Sequence, residues 1–190
     1  MISIYCGKSR RLRNQITDYL NEHDLEINNE YEHRHLTLND ILKIDYTNNT
    51  YRNEAMSVVP NSTPSRKQIY EENDHLVQGD IIQNIVVKTL TTKQDRNPNS
   101  GVIDYPEDLK VPGKSNFRYL TPRECFMLMG FDEDDYNILI KNDVNLTNHN
   151  KRKAFTNERL TKMAGNSIVV DVLEAVFQQL IDINEMFFNE

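Results

Sequence analysis

The sequence is poor in the residues that build cross-linked, metal-binding or membrane-spanning proteins. It has no tryptophan and two cysteines, Cys6 and Cys125, which stand far apart and lack metal-ligand spacing. A disulfide framework and a zinc site are therefore not indicated, and reduced thiols with no metal site are expected. No apolar run approaches about eighteen residues, and the N-terminus is apolar before it is basic, the reverse of a secretory signal. We therefore expect a soluble, cytoplasmic chain with no membrane contact.

The amount of apolar sequence is sufficient for a folded protein. The chain has 190 residues, of which 38% are hydrophobic, enough for one domain or a domain and a half. Its formal charge of -7 hides a local contrast, because residues 86–123 carry seven Lys and Arg against four acids, whereas residues 132–190 carry eleven acids against six bases. The basic middle suits an anionic partner, although a solvated surface would have the same composition.

The first two thirds of the chain give weak structural signals. The stretch "MISI" is typical of the end of a strand, and "LTLNDILKI" (36–44) predicts a short helix. Residues 45–79 are rich in Asn, Ser, Thr and Pro and predict a long irregular stretch, which is either disordered or functional. The β-branched residues of 80–92 predict one or two strands, and "KQDRNPNSG" (93–101) predicts a loop.

Residues 118–131 predict a short helix with both ends marked. Thr121 is a good N-cap, Pro122 suits the first helical position, and Glu124 completes a capping box with Thr121. Gly130 is placed to end the helix in a left-handed turn. The apolar face of this helix comprises Cys125, Leu128 and Met129.

A second helical unit follows near the C-terminus. "TNERLTKM" predicts a short helix, "AGNS" a break, and the residues after it a long amphipathic helix. Taken singly, each of these helices would suit any helical protein. The apolar face of the long helix comprises Ile168, Val169, Val172, Leu173, Val176, Leu180 and Ile183.

The order of these two units is more specific than either unit alone. "LTPRECFMLMGF" followed about 35 residues later by "AGNSIVVDVLEAVF" resembles blocks IX and X, the last two motifs of the DNA cytosine-5 methyltransferases. The residues that match block IX are Arg118, Leu120, Thr121, Pro122, Arg123, Glu124, Leu128, Met129, Gly130 and Phe131. Those that match block X are Gly165, Asn166, Ser167, Val169, Val170, Val172, Leu173 and Glu174.

The resemblance implies a chemistry for which this sequence lacks some of the required segments. Members of the family flip a cytosine out of the duplex, attack it with a cysteine, and transfer methyl from S-adenosylmethionine to its C5. Their nucleophile lies in Pro-Cys-Gln, a glutamate in Glu-Asn-Val, and the cofactor loop in Phe-x-Gly-x-Gly; none of these segments is present here. Cys125 is expected to be a buried thiol, and the role of Cys6 stays open. The resemblance therefore predicts no catalytic residue in this chain and no methylation by it alone.

The same resemblance divides the chain. Residues 1–4 would end a catalytic-domain strand, residues 5–117 would form the target-recognition region, and residues 118–190 would hold blocks IX and X. We expect an α+β fold: a small, partly irregular, β-containing recognition domain, then helices that complete an α/β methyltransferase domain. Asn166 and Ser167 would lie near S-adenosylmethionine in the complete enzyme. The long helix would need a partner, a methyltransferase subunit or fragment with the catalytic blocks.

Duplex DNA is the expected substrate, and residues 88–101 are the main candidate contact. Thr89 and Leu90 stand where the family has a Thr-Leu dipeptide. Three basic side chains suit phosphates: Lys88, Lys93 and Arg96. Four polar side chains suit base edges: Gln94, Asn97, Asn99 and Ser100. A second candidate is "PSRKQIY", with Arg66, Lys67 and Tyr70.

Three functional hypotheses follow. The chain is the recognition portion of a methyltransferase from a restriction-modification system or a phage, a non-catalytic DNA-binding relic or decoy of such an enzyme, or a helical interaction protein with accidental motifs. In the first case it is a truncated product, an internal-start product or the smaller subunit of a split enzyme. The paired blocks argue against accident, and the DNA sequence recognised cannot be read from residue types.

Overall fold

A computed structural model describes residues 36–144 and 154–188 of the chain, and side chains only as far as residue 182. The chain divides into two compact units. One unit is Arg34–Leu173, and the other combines Met1–His33 with Glu174–Glu190. The predicted strand at residues 1–4 and Cys6 lie outside the described residues.

The described residues form helices and one mixed sheet, which confirms the α+β class. The sheet has four short strands in the order β2-β1-β3-β4, where β1 is His75–Gln78, β2 is Ile81–Ile82, β3 is Val102–Asp104 and β4 is Phe117–Arg118. Strand β1 pairs antiparallel with β2 and parallel with β3, and β3 pairs antiparallel with β4. The parallel pair brings residues before and after the 88–101 loop side by side, so the loop leaves and re-enters one sheet.

Seven α-helices lie in the described part of the chain, and most of them begin at a recognisable N-cap. They are α1 (Leu38–Ile41), α2 (Asn49–Ser57), α3 (Pro64–Glu72), α4 (Pro122–Leu128), α5 (Glu133–Lys141), α6 (Asn157–Asn166) and α7 (Val170–Phe188), with a 3₁₀ turn at Glu107–Leu109. The predicted short helix in 36–44 is thus confirmed as α1. No described helix is long and apolar enough to cross a bilayer.

The main hydrophobic core joins the sheet to helices α4 to α6. Leu76 and Ile103 from the sheet pack in one cluster with Cys125 from α4 and Leu160 from α6. All four side chains are almost completely buried. The core therefore connects the two motif-bearing segments, although about 35 residues separate them along the chain.

The prediction of a long irregular stretch at 45–79 is wrong. That segment contains α2, α3 and β1. The side chain of Asn48 accepts a hydrogen bond from Thr50 N and caps α2, and Thr63 caps α3 with Pro64 as the first helical residue. Asn, Thr and Pro favour helix starts for the same reasons that they favour turns, so composition alone misidentified two helix N-termini as loops.

The prediction of one or two strands across residues 80–92 is correct only for Ile81–Ile82. Residues 83–90 form no regular element, and Val86 in this stretch is almost fully exposed. Strand β2 stands at the edge of the sheet, so the β-branched residues after it meet no further strand with which to pair.

The break between the last two helices lies later than predicted. Helix α6 continues through Gly165 and ends at Asn166, and the N–H of Ser167 bonds to Ala164 O as its C-cap. The turn therefore closes α6, and at the head of α7 the N–H of Val170 donates to Met129 O. The long amphipathic helix itself is confirmed as α7.

Candidate functional site

Helix α4 is fixed at both ends by the residues that predict it. The side chain of Thr121 accepts a hydrogen bond from Glu124 N at 3.2 Å, and the Glu124 carboxylate accepts one from Thr121 N at 2.8 Å. Pro122 fills the first helical position, and Gly130 adopts a left-handed φ of 86° beyond the last turn. The predicted capping box and glycine stop are both confirmed.

Glu124 also closes a fully buried ion pair. Its two carboxylate oxygens accept hydrogen bonds from the Arg118 guanidinium, each at 2.8 Å, and both side chains are 0% exposed. Lys43 N donates to the same carboxylate at 2.9 Å, and Arg118 Nε donates to Tyr46 Oη at 2.9 Å. Burial alone would raise the pKa of Glu124, but the charge and hydrogen bonds of Arg118 lower it below its ordinary value. The pair thus ties the segment after α1 to strand β4 and helix α4.

Arg123 organises the other side of α4. Its guanidinium donates to both oxygens of Glu54 at 2.9 and 2.7 Å, to Glu133 at 3.2 Å and to Asn137 at 2.6 Å. It also lies 4.7 Å from the ring centroid of Tyr136. Because four of its five N–H hydrogens are donated to these partners, Arg123 holds α2, α4 and α5 together.

The segments that resemble blocks IX and X pack directly on one another. Met129 and Leu160 share the main core, and Val170 N donates to Met129 O at 2.9 Å. A Cβ added at Gly130 would lie 3.1 Å from Val170 Cβ, so the glycine allows this close approach as well as the turn. The two motifs therefore form one rigid support.

The 88–101 loop begins with both exposed and buried side chains. Lys88 lies on the surface and pairs with Asp74 at 2.7 Å, and Thr89 is exposed beside it. Leu90 is buried in the main core. Of the proposed Thr-Leu pair, the threonine thus faces solvent and the leucine anchors the start of the loop.

The structure corrects the placement of two proposed base-reading residues. Gln94 is 4% exposed and Ser100 is 1% exposed. Ser100 Oγ donates to Gln94 Oε1 at 2.8 Å, and Gln94 Nε2 donates to Thr91 O at 3.1 Å. Both side chains face inward because they form hydrogen bonds with polar groups of the loop itself. These hydrogen bonds stabilise the shape of the loop.

Further hydrogen bonds hold the loop in one shape. Thr91 Oγ1 donates to Asn97 O at 2.8 Å, and Asn99 Nδ2 donates to Thr89 O at 3.1 Å. The Asn99 side chain is thereby committed to the loop, like Gln94. Five proposed contact residues are exposed: Lys88, Thr89, Lys93, Arg96 and Asn97.

A cleft of about 460 Å³ lies beside the exposed part of the loop. Its lining includes Lys93 and Arg96 from the loop and Asn157 at the start of α6. Tyr119, which also lines the cleft, donates from Oη to Asp95 O at 3.0 Å, and Arg66 donates to the same carbonyl and to Tyr119. Sequence reasoning missed Tyr119, because nothing near it in the chain indicates that it supports a loop 24 residues away.

The second candidate segment, "PSRKQIY", lies in helix α3. Arg66 is committed to the 88–101 loop, and Tyr70 Oη donates to Asp104 at 3.0 Å. Lys67 is exposed. The structure therefore assigns Arg66 and Tyr70 to internal contacts and leaves Lys67 facing solvent.

These motifs agree with a comparison against known families. The family model described as C-5 cytosine-specific DNA methylase matches residues 5–182. The chain belongs to this family. The match includes both helical blocks and the braced loop.

Individual methylases resemble this chain over part of their length. The orphan methyltransferase M.SPRI of Bacillus phage SPR is 33% identical over 137 residues, which are 70% of this chain and 25% of that protein. The type II methyltransferase M2.ScrFI of Lactococcus lactis subsp. cremoris is 27% identical over 146 residues, 76% of this chain and 33% of that protein. The orphan methyltransferase M.SPBetaI of Bacillus phage SPbeta is 40% identical over 72 residues, 36% of this chain and 13% of that protein. The chain thus spans a third or less of these methylases.

Cys125 is a structural thiol in this methylase chain. Its side chain is completely buried in the core. Burial, with the nearby charge of Glu124, raises the pKa of the thiol far above its ordinary value. The prediction of a buried Cys125 thiol is confirmed, and its raised pKa disfavours the thiolate.

The residues proposed to lie near the methylase cofactor end helix α6. Asn166 is exposed, and Ser167 is partly exposed with its Oγ donating to Ile168 O at 3.1 Å. An exposed amide beside a hydroxyl fits the amino-acid and ribose groups of S-adenosylmethionine, which need hydrogen-bond donors and acceptors. The two side chains could bind the cofactor but carry no group that activates it.

Proposed function

We propose that this chain is the DNA-recognising portion of a DNA (cytosine-5) methyltransferase of restriction-modification type. Residues 5–117 hold the target-recognition region and residues 118–190 the blocks that connect it to the catalytic domain. Methyl transfer to cytosine C5 requires a polypeptide with the catalytic cysteine, the glutamate and the cofactor loop. S-adenosylmethionine supplies the methyl group when bound. Family membership and the absence of the three catalytic segments from this sequence support the proposal.

The observation that carries the proposal is the braced loop beside the packed blocks. Lys93, Arg96 and Asn97 are exposed on a loop whose buried interior is hydrogen-bonded. Two cations beside an amide suit a phosphate backbone next to base edges, and a preformed loop lowers the entropy cost of binding. Lys88 and Thr89 extend this surface, whereas Leu90 and Gln94 hold it in place.

The long helix supports the need for a partner. Along α7, several apolar side chains that recur at helical spacing are about half exposed: Val172, Val176, Phe177, Leu180 and Ile181. A contiguous apolar stripe of this kind marks a protein contact more often than a solvent surface. We assign it to the methyltransferase subunit or fragment that carries the catalytic blocks.

The test is reconstitution. The purified chain is mixed with the product of the neighbouring upstream reading frame, labelled S-adenosylmethionine and duplex DNA. Label transfer to cytosine C5 by the mixture, and by neither polypeptide alone, is expected. A mixture in which the Lys93→Ala/Arg96→Ala chain replaces the wild type is the control and should transfer less at limiting DNA.

The alternative is a DNA-binding relic or decoy, and the same experiment separates it. A folded mixture that binds duplex DNA but transfers no label would contradict the methyltransferase proposal and support the relic. An upstream reading frame without the catalytic segments would favour the relic as well.

A further inference from the structure

Helix α6 meets the 88–101 loop at a point where an added Cβ would crowd the loop backbone. A Cβ added at Gly165 would lie 3.0 Å from the carbonyl carbon of Thr91, 3.0 Å from Thr92 N and 3.1 Å from Thr91 O. These neighbours are backbone atoms, so no flexible side chain can move aside to make room. Gly165 lies within helix α6, a conformation that does not itself require glycine. The close approach of the loop backbone therefore explains why a glycine stands here.

The loop is held at a second point, the backbone carbonyl of Asp95. Tyr119 Oη donates to Asp95 O at 3.0 Å, and Arg66 reaches the same carbonyl. Between the two supports lie the exposed Lys93 and the buried Gln94, and Arg96 follows directly after the second support. Displacement at the Gly165 contact therefore moves Lys93 directly, because the other support fixes only the far end of this short segment.

We propose that Gly165 is a positioning residue for DNA binding: it sets the separation between α6 and Thr91–Thr92 and so determines where Lys93 meets the phosphates. This inference rests on the proposed function of the loop. The glycine of block X would then contribute to substrate recognition, in addition to preceding Asn166 and Ser167, the residues proposed to lie near the cofactor.

The experiment compares Gly165→Ala with Met163→Ala in the full chain. Both variants introduce alanine into α6, and the Met163 side chain is 43% exposed. The probe is a fluorescein-labelled duplex of random sequence, titrated by anisotropy at several salt concentrations. Alanine is a better helix former than glycine by up to about 1 kcal/mol, so a role confined to the helix predicts equal or higher thermal stability and unchanged affinity.

Positioning predicts a different pattern. Gly165→Ala should bind the duplex about tenfold more weakly, since relieving an overpacked contact shifts the loop. The slope of log K against log salt should fall by about 0.9 for each phosphate that the displaced cations no longer neutralise. Met163→Ala should match the wild type in both affinity and slope.

A double-mutant cycle tests the route of the effect. In the Lys93→Ala/Arg96→Ala chain, Gly165→Ala should cost little further affinity, because the groups it displaces are already absent. Additive losses would overturn the inference. Equal affinities of Gly165→Ala and the wild type would also overturn it, while leaving the DNA-binding proposal intact.

A measurement on the wild type covers the case in which Gly165→Ala does not fold. Duplex binding should slow amide hydrogen exchange at residues 163–166 as well as in the loop, because the two segments support one another. Unchanged exchange in α6 contradicts the inference. A wild-type chain that does not bind the duplex at all overturns both this inference and the proposed DNA contact.

Discussion

The buried Arg118–Glu124 pair makes a strong prediction about stability. Glu124 accepts hydrogen bonds from two nitrogens of Arg118, from Thr121 N and from Lys43 N. Glu124→Gln keeps the shape but replaces one acceptor oxygen by a donor and leaves the Arg118 charge uncompensated. Breaking a buried pair from one side costs about 3–5 kcal/mol. For a chain of this size that loss lowers Tm by about 6–20 °C.

The assay is urea unfolding followed by circular dichroism, with a cycle of Arg118→Met, Glu124→Gln and the double variant. The double variant should lose less free energy of unfolding than the sum of the single variants, because it leaves no unpaired charge. Glu107→Gln is the matched control, since Glu107 is largely exposed and its pair with Lys110 should contribute less than about 1 kcal/mol. A loss below about 1 kcal/mol for Glu124→Gln would refute the reasoning.

The same pair predicts a pH dependence. The pKa of Glu124 is lower in the folded chain than its ordinary value, whereas the unfolded carboxyl titrates near about 4.3. The unfolded state therefore binds the proton first as the pH falls, and the stabilisation is complete above that pH. It is lost as the pH falls through the folded pKa. The stability difference between wild type and Glu124→Gln should accordingly shrink in acid, and a constant difference would contradict this account.

Three further predictions concern the loop and the core. Lys93→Ala and Arg96→Ala should each reduce the salt slope of duplex binding by about 0.9, and an unchanged slope would remove them from the phosphate contact. Gln94→Met should cost about 1–3 kcal/mol in urea unfolding, because it strands the buried hydroxyl of Ser100, whereas a cost no greater than that of the exposed Gln78→Met would contradict the internal brace. In a Cys6→Ser background, Cys125 should react with a thiol reagent only on unfolding, and rapid reaction of the native chain would contradict its burial.

Local signals made helix α4 predictable from the sequence. Thr121, Pro122, Glu124 and Gly130 act on backbone groups within a few residues of themselves, so their order predicts where the helix begins and ends. The residues that build its surroundings act over longer distances. Glu124 meets the backbone N–H of Lys43 81 positions away, and no periodicity indicates such a contact.

The position of the loop in the chain was predicted, but the orientation of its side chains was predicted only in part. Gln94 and Ser100 are polar, and composition placed them on the surface, but in the fold each is the hydrogen-bond partner of the other. The helices within residues 45–79 were missed for a related reason. Cap residues such as Asn48 and Thr63 are also turn residues, and only the tertiary packing of α2 and α3 selects between the two.

The supports of the 88–101 loop act largely on main-chain atoms. Gly165 faces the backbone of Thr91 and Thr92, and Tyr119 binds the carbonyl of residue 95, which every amino acid possesses. Residues 93, 95 and 96 can therefore change identity without loss of these anchors. If the loop contacts DNA as proposed, exchange of a few exposed side chains would alter the DNA preference while the same helices hold the loop.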